Sequence, residues 1–173
     1  MILGMSLAAF TEFHVIISLI GIVSGIVVLL GMLGANRLPV LTGIFLLTTV
    51  ATSVTGFMFH FESFGPPEIV GAISLVVLAV ALLALYVYKL AGSWRWIYVA
   101  SAVFALYLNA FVGVVQTFQK VPFFHALAPT QMEPPFAVAQ GIVLLVFIAL
   151  GILAVRKFRP AATTPPFAHG KPA

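Results

Sequence analysis

The sequence contains no cysteine and no aspartate, and only 7% of its 173 residues are charged. The absence of cysteine excludes disulfide bonds, thiolate metal sites and cysteine nucleophiles. Without aspartate, a catalytic triad would need glutamate as its acid. Soluble proteins carry about 25% charged residues, so the low charge content excludes a soluble domain.

Apolar residues dominate what is present. Hydrophobic residues make up 62% of the chain, and the mean hydropathy is +1.21. The formal net charge is +4, but the basic residues are too few and too scattered for the basic patch of a nucleic-acid-binding protein. The composition therefore predicts a single-domain protein whose partner is the lipid bilayer, with no nucleic-acid partner.

Five apolar segments are long enough to cross a bilayer, which takes about 20 helical residues. The sequence therefore predicts an all-α, polytopic transmembrane helix bundle with five spans. The predicted spans are residues 13–34, 39–60, 68–90, 96–119 and 136–155, within a transmembrane domain at 13–158. Residues 1–12 are expected to form an outer segment along the interface. The proline-rich residues 159–173 are expected to form a disordered cytoplasmic tail.

The basic residues predict the orientation of the bundle. All but one of them fall on the same side of the predicted spans, and the four glutamates fall on the other side with Lys120. Because Lys and Arg near span ends favour the cytoplasm, we expect the N-terminus outside and the C-terminus inside. The inner side then holds Arg37, Lys89, Arg95, Arg156, Lys157, Arg159 and Lys171, with an aromatic belt of Tyr86, Tyr88, Trp94, Trp96 and Tyr98.

Small, hydroxylated and other polar residues recur on one face of three spans, at helical spacing. Such stripes are typical of packing seams between membrane helices, where each interhelical hydrogen bond adds about 0.6 kcal/mol. Ser74 is the main polar residue of the third span, so we expect it to face lipid. The stripes are His14, Ser18, Gly21 and Gly25; Thr49, Ser53, Gly56 and His60; and Asn109, Gly113, Gln116 and Lys120.

The stretch from Asn109 to Gln140 concentrates polar groups in an otherwise apolar chain. Amides within a bilayer are costly unless they have partners. Packing and ligand binding are equally open explanations for Asn109 and Gln116. On the binding interpretation, Asn109, Gln116, Gln140 and Tyr107 line a site in the outer half of the bundle.

Three histidines fall on the predicted outer side together with the glutamates. Imidazole nitrogens and carboxylate oxygens suit Zn, Cu or Fe, and two facing imidazoles can ligate haem. The candidate metal ligands are His14, His60, His125 and Glu133. No H-x-x-x-H or H-E-x-x-H spacing is present, and each histidine alone is more typical of an interfacial side chain. A metal ion or haem therefore stays open as a cofactor.

The glutamates have an explanation that needs no ligand. Glu12, Glu68 and Glu133 each stand at the predicted start of an inward-running span. A negative charge there complements the partial positive charge of a helix N-terminus, which is worth about 0.3–1 kcal/mol. We therefore expect all three to act as helix-start residues.

Two stretches carry a resemblance to known proteins. NRLPVLTGIFLLTTVATSVTGFMF at 36–59 and LNAFVGVVQTFQKVPFFHALAPTQMEPPF at 108–136 resemble small multi-span bacterial inner-membrane proteins of the domain-of-unknown-function type. The likeness covers most of residues 10–160. It implies a multi-pass protein of the bacterial inner (plasma) membrane and implies no particular activity.

Two functions from different classes remain. The first is a binding protein that holds a small ligand, a metal or a redox cofactor in the outer half of the bundle. The second is a non-catalytic accessory subunit or assembly factor of a larger membrane complex or homo-oligomer, in which the polar stripes are interfaces. A quinone-linked enzyme is a third and more distant interpretation.

Overall fold

The computed structural model describes residues 2–59 and 65–159, and this part of the chain is helical. Its α-helices are α1 (Leu7–Leu33), α2 (Pro39–Gly56), α3 (Pro66–Leu82), α4 (Trp94–Lys120), α5 (Pro122–Leu127) and α6 (Pro134–Lys157). A π-helical turn at Leu83–Val87 follows α3 directly. The predictions for His60 and for the tail from residue 160 onward lie outside the described residues.

The all-helical prediction is confirmed. Within residues 2–59 and 65–159, five helical segments are long and apolar enough to cross a membrane, with α3 and the π-helical turn forming one of them. Apolar runs of this length fold as helices because a helix satisfies every backbone hydrogen bond within itself, which a bilayer requires.

Local sequence explains where the helices begin and end. Ser6 caps α1 by accepting a hydrogen bond from the Ala9 N–H at 3.2 Å. Proline occupies the first turn of α2, α3, α5 and α6, where its missing N–H costs nothing. Because α1 already begins at Leu7, Glu12 lies beyond the first turn. The prediction that Glu12 starts a helix is therefore wrong.

Helix α4 lies at the centre of the bundle and packs against α1, α3 and α6. The buried core around it includes Phe45 from α2, Leu78 from α3 and Leu106 from α4. Helix α6 is peripheral, since Ala154 is its one buried residue. The C-terminal end of α6 is fixed by Arg95, whose guanidinium donates to the carbonyls of Val155 at 3.3 Å and Phe158 at 2.5 Å.

The antiparallel helices give the bundle two distinct ends. One end, here the His14 end, contains the start of α1 and the end of α4. The opposite end, here the Arg37 end, contains the α1–α2 turn, the π-helical turn and the end of α6. At the Arg37 end, Tyr88 and Trp94 stack with ring centroids 3.7 Å apart and planes 2° from parallel.

The third span does not face lipid at Ser74. This side chain is 4% exposed, and it accepts a hydrogen bond from the Ser53 hydroxyl of α2 at 3.0 Å. The neighbouring Gly71 brings α3 close to the ring of Phe57, because a Cβ at Gly71 would lie 3.1 Å from that ring. The lipid-facing prediction is wrong because a lone serine gives no periodic stripe, although here it pairs with a hydroxyl on the adjacent helix.

Candidate functional site

His14 is the centre of the polar contacts at the His14 end. Its half-buried ring places Nδ1 2.8 Å from the Thr55 hydroxyl oxygen of α2. That hydroxyl already donates its proton to the Ala51 carbonyl at 2.7 Å. A hydroxyl has one proton to donate, so Nδ1–H must be the donor to Thr55. The neutral ring therefore carries its free lone pair on Nε2.

The contacts continue along the seam between α1 and α2. Ser18 donates to the His14 carbonyl at 2.6 Å and also lies 3.3 Å from the Thr52 hydroxyl. Deeper in the bundle, the Asn109 amide of α4 donates to Thr49 at 3.2 Å. We call these residues the polar seam: His14, Ser18, Thr49, Thr52, Thr55 and Asn109.

Gly21 makes the deep part of the polar seam possible. A Cβ at this position would lie 3.2 Å from the Thr48 hydroxyl, 3.3 Å from the Thr49 hydroxyl and 3.5 Å from the Asn109 amide nitrogen. A Cβ there would crowd these polar groups, and the two threonine hydroxyls would have to move by a few tenths of an ångström. The predicted stripes of α1, α2 and α4 thus meet here, and Asn109 has a packing partner.

The other predicted ligand-binding residues point to different neighbours. Gln140 donates to the Phe111 carbonyl at 3.1 Å, in the seam between α4 and α6. Tyr107 packs against the rings of Phe111 and Phe147, with the second centroid 5.8 Å away. Gln116 is exposed. Asn109, bonded to α2, therefore belongs to a different seam from Gln140.

Gln140 has one unsatisfied atom. Its Oε1 is buried and accepts no hydrogen bond from the described part of the chain, while its Nε2 donates to the Phe111 carbonyl of α4. An unsatisfied buried acceptor is costly, so a hydrogen-bond donor placed at this oxygen would bind favourably.

The predicted metal ligands that the structure describes have other partners. His125 is exposed, and its Nδ1 lies 3.3 Å from the Phe118 carbonyl oxygen. Glu133 accepts hydrogen bonds from the Thr130 hydroxyl at 2.8 Å and from the Met132 N–H at 3.1 Å. Within residues 2–59 and 65–159, no three His, Cys, Asp or Glu side chains form a group that could hold a metal ion.

The hydrogen bonds of Glu133 set its protonation. Desolvation acts to raise the pKa of this carboxyl, but the bonds from the Thr130 side chain and from nearby backbone N–H groups outweigh it, so the pKa lies below its usual value. Glu133 is thus an ionised N-cap residue of α6 that organises the preceding loop. The helix-start prediction is right about its position.

Glu68 is a buried carboxylate that the pattern analysis treated only as a cap. It does cap α3, because its Oε2 accepts the Gly65 N–H at 2.8 Å. The residue is only 7% exposed, however, and its Oε1 accepts no hydrogen bond from any residue that the structure describes. Burial of an acid at a span start cannot be read from one helix, since it depends on which helices lie beside it.

A cavity of about 150 Å³ lies at the Arg37 end of the bundle. Its walls combine the apolar side chains of Val28 and Met32 with Arg37, Tyr86 and Tyr98. The sequence predicts an inner-side position for Arg37 and places in the inner aromatic belt for Tyr86 and Tyr98. Their common position on the inner side was predictable from the sequence. Their convergence on one cavity was not, because it depends on the α1–α2 turn and on the π-helical turn.

Comparison of the chain with models of protein families, with curated proteins and with solved structures found no match. The function is therefore argued from the geometry of the chain itself.

Proposed function

We propose that the protein is an integral membrane protein that binds a small polar ligand in the outer half of its bundle, at the polar seam. The single observation that carries this proposal is the state of His14. Its Nδ1–H is bonded to Thr55, so Nε2 keeps a lone pair for a ligand.

The charge beside His14 favours a particular ligand chemistry. The ammonium of Lys120, in the last turn of α4, acts electrostatically on the His14 imidazole. Lys120 forms no ion pair with any described residue. An ammonium donates hydrogen bonds and attracts anions, whereas it repels a bare metal cation. The pair therefore suits a small hydroxy acid, whose carboxylate would meet the Lys120 ammonium and whose hydroxyl would donate to the Nε2 lone pair of His14.

A metal ion remains the competing ligand for the same place. Phe59 packs edge-on against His14 with centroids 5.2 Å apart, and His60 follows Phe59 directly in the sequence. On this version of the proposal His14 and His60 supply nitrogen ligands, with His125 and Glu133 as the further predicted ligands, for a metal ion or a haem.

The two ligand classes are separated by titrating the purified protein with glycolate or lactate, and in parallel with Zn²⁺, while thermal unfolding is recorded. We expect the carboxylates to stabilise the wild type. We expect Lys120→Gln to weaken that effect at least about tenfold, since it removes the charge that holds the carboxylate. His14→Ala should weaken it about tenfold, since it removes the acceptor of the ligand hydroxyl. His125→Ala is the matched control, because His125 is exposed and bonds only to the backbone.

Stabilisation by Zn²⁺ that His14→Ala abolishes would favour the metal version instead. Zn²⁺ binding would then weaken as the pH falls, because a protonated imidazole has no lone pair for the metal. Equal behaviour of His14→Ala and His125→Ala with every probe would contradict a site at His14.

The orientation of the bundle belongs to the same proposal. We infer that the His14 end faces outward and the Arg37 end faces the cytoplasm of a bacterial inner membrane, because basic residues concentrate at the Arg37 end. Reporter fusions after Lys89 and after Arg159 should report cytoplasm, and one after Glu62 should report periplasm. A periplasmic signal from the Arg159 fusion would overturn this orientation.

An accessory subunit of a larger membrane complex is the second candidate function. The observation that favours it is the sparse packing of α6, whose one buried residue is Ala154, while Leu145 on the same helix is 67% exposed. Extraction from native membranes in mild detergent would distinguish the two. A particle much heavier than one 18.5 kDa chain with its detergent supports the subunit interpretation.

A further inference from the structure

The cavity at the Arg37 end is built by unusual backbone on two sides. On one side, the turn after α1 is closed by the Asn36 N–H bonding to the Gly31 carbonyl at 2.8 Å, with Ala35 at a φ of 56°. This turn places Arg37 at the rim. The exposed guanidinium therefore stands over the cavity and not along a helix.

The second side is the end of α3. The Tyr88 N–H bonds to the Leu83 carbonyl five residues back, at 3.0 Å, and π-helical turns of this kind occur frequently at functional sites. Lys89 and Leu90 then follow at φ values of 49° and 61°. Non-glycine residues in this region cost about 1–3 kcal/mol each. The turn brings Tyr86 and Leu90 to the cavity wall.

The cavity contains side chains that can donate hydrogen bonds, but no carboxylate from the described part of the chain to accept them. Arg37 and Tyr86 both act electrostatically on Tyr98, and the Tyr98 hydroxyl is close enough to Thr42 for a side-chain hydrogen bond. Among the described residues, no acid lines the cavity and none forms an ion pair with Arg37. The rim therefore presents an unpaired guanidinium beside phenol and hydroxyl groups.

The interior of the cavity is apolar and small. Val28 is 3% exposed, Met32 2% and Leu90 8%, and all three line it. An apolar cavity of about 150 Å³ is large enough for a benzene-sized group. It admits a single compact group with a few methylenes and is too small for a nucleotide.

The aromatic residues around the cavity indicate its depth in the bilayer. Tyr86 is 58% exposed at the rim, and the stacked pair Tyr88 and Trp94 lies on the following turn. Tyrosine and tryptophan concentrate at the level of the lipid headgroups. The unpaired Arg37 is thus expected where the phosphate groups of phospholipids lie.

We propose that this cavity is a binding site for an anionic phospholipid. Arg37 binds the phosphate through its forked N–H donors, which match phosphate geometry. The first methylenes of the lipid pack against Val28, Met32 and Leu90. Basic pockets between transmembrane helices on the cytoplasmic side bind lipid headgroups in this manner. The site is at the opposite end of the bundle from His14 and is independent of the function proposed there.

Native mass spectrometry of the purified full-length protein tests the proposal by titration with dioleoyl phosphatidylglycerol. We expect Arg37→Gln to weaken this binding roughly 10- to 100-fold, the effect of removing a charge-assisted hydrogen bond. Arg37→Lys, which keeps the charge but loses the fork, should give an intermediate loss. Lys157→Gln removes an exposed cation of the same end outside the cavity, and it should weaken binding by no more than about fivefold.

Two further titrations identify the source of the phosphate. Dioleoyl phosphatidylcholine should bind more weakly than phosphatidylglycerol to the wild type, and inorganic phosphate should not displace the lipid at equal concentration. Equal losses from Arg37→Gln and Lys157→Gln, or equal binding of the two lipids, would refute the site. Displacement by inorganic phosphate would show a site for free phosphate and overturn the lipid assignment.

Discussion

Replacing Gly25 by leucine is expected to lower the melting temperature of the purified protein by roughly 6–12 °C. A Cβ at Gly25 would already lie 2.6 Å from the Leu106 side chain and 2.8 Å from the Phe45 ring. Both neighbours are 1% exposed, so neither can move into free space. Overpacking costs about 1–3 kcal/mol, and a whole leucine side chain with no free space beside it belongs at the upper end, about 3 kcal/mol. Each kcal/mol is worth about 2–4 °C in a protein of this size.

Gly43→Leu is the matched control for this prediction. Gly43 lies on α2, and a Cβ there would meet nothing within 4 Å. The same substitution should therefore leave the melting temperature in detergent nearly unchanged. If Gly25→Leu and Gly43→Leu lower it equally, the close contact between α1, α2 and α4 at Gly25 does not exist.

The second large effect is expected from Ser74→Leu, at roughly 4–12 °C in melting temperature. The leucine would have to fit where Ser74 is 4% exposed, and the hydrogen bond between Ser53 and Ser74 would be lost, which leaves Ser53 bonded only to the Thr49 carbonyl at 3.0 Å. Overpacking and the lost hydrogen bond between the helices together cost about 2–3 kcal/mol. Ser74→Ala should cost only about 0.6 kcal/mol, because it deletes the hydrogen bond without adding volume.

Val76→Leu tests whether the effect of Ser74→Leu depends on the helix face. Val76 lies on the same helix and is 66% exposed, so a larger side chain there should be tolerated. A silent Ser74→Leu together with a silent Val76→Leu would restore the lipid-facing arrangement that the sequence alone indicated.

The helices were predictable because the bilayer leaves an apolar chain few alternatives. The residues at which the helices begin were less predictable. Ser6 caps α1 six residues ahead of Glu12. It is recognisable as a cap only if the first apolar segment is extended back to Leu7. The stripe on α1 correctly indicated close packing at Gly21 and Gly25, since small residues at helical spacing act through a single helix surface.

The site was predictable only in part, because a stripe shows what a helix presents and not which helix receives it. Asn109 does lie with Thr49 on a shared seam, but Gln140 bonds to the backbone of α4 on the other side. Ser74 and Glu68 are buried by neighbours that no pattern within α3 reveals. The cavity beside Arg37 arises from a π-helical turn, for which the sequence LALYV carries no recognised signature.

The peripheral position of α6 has a consequence for how the chain is assembled during synthesis. The buried core comes from residues 28–106, apart from Ala154 and Phe158. Domains form from the N-terminal side as the chain emerges from the ribosome, so the first four spans can pack together before α6 exists. Arg95 gains its acceptors, the carbonyls of Val155 and Phe158, only when the last span docks. In the final step of assembly, the Arg95 guanidinium, which is already in place on α4, thus receives its two carbonyl acceptors.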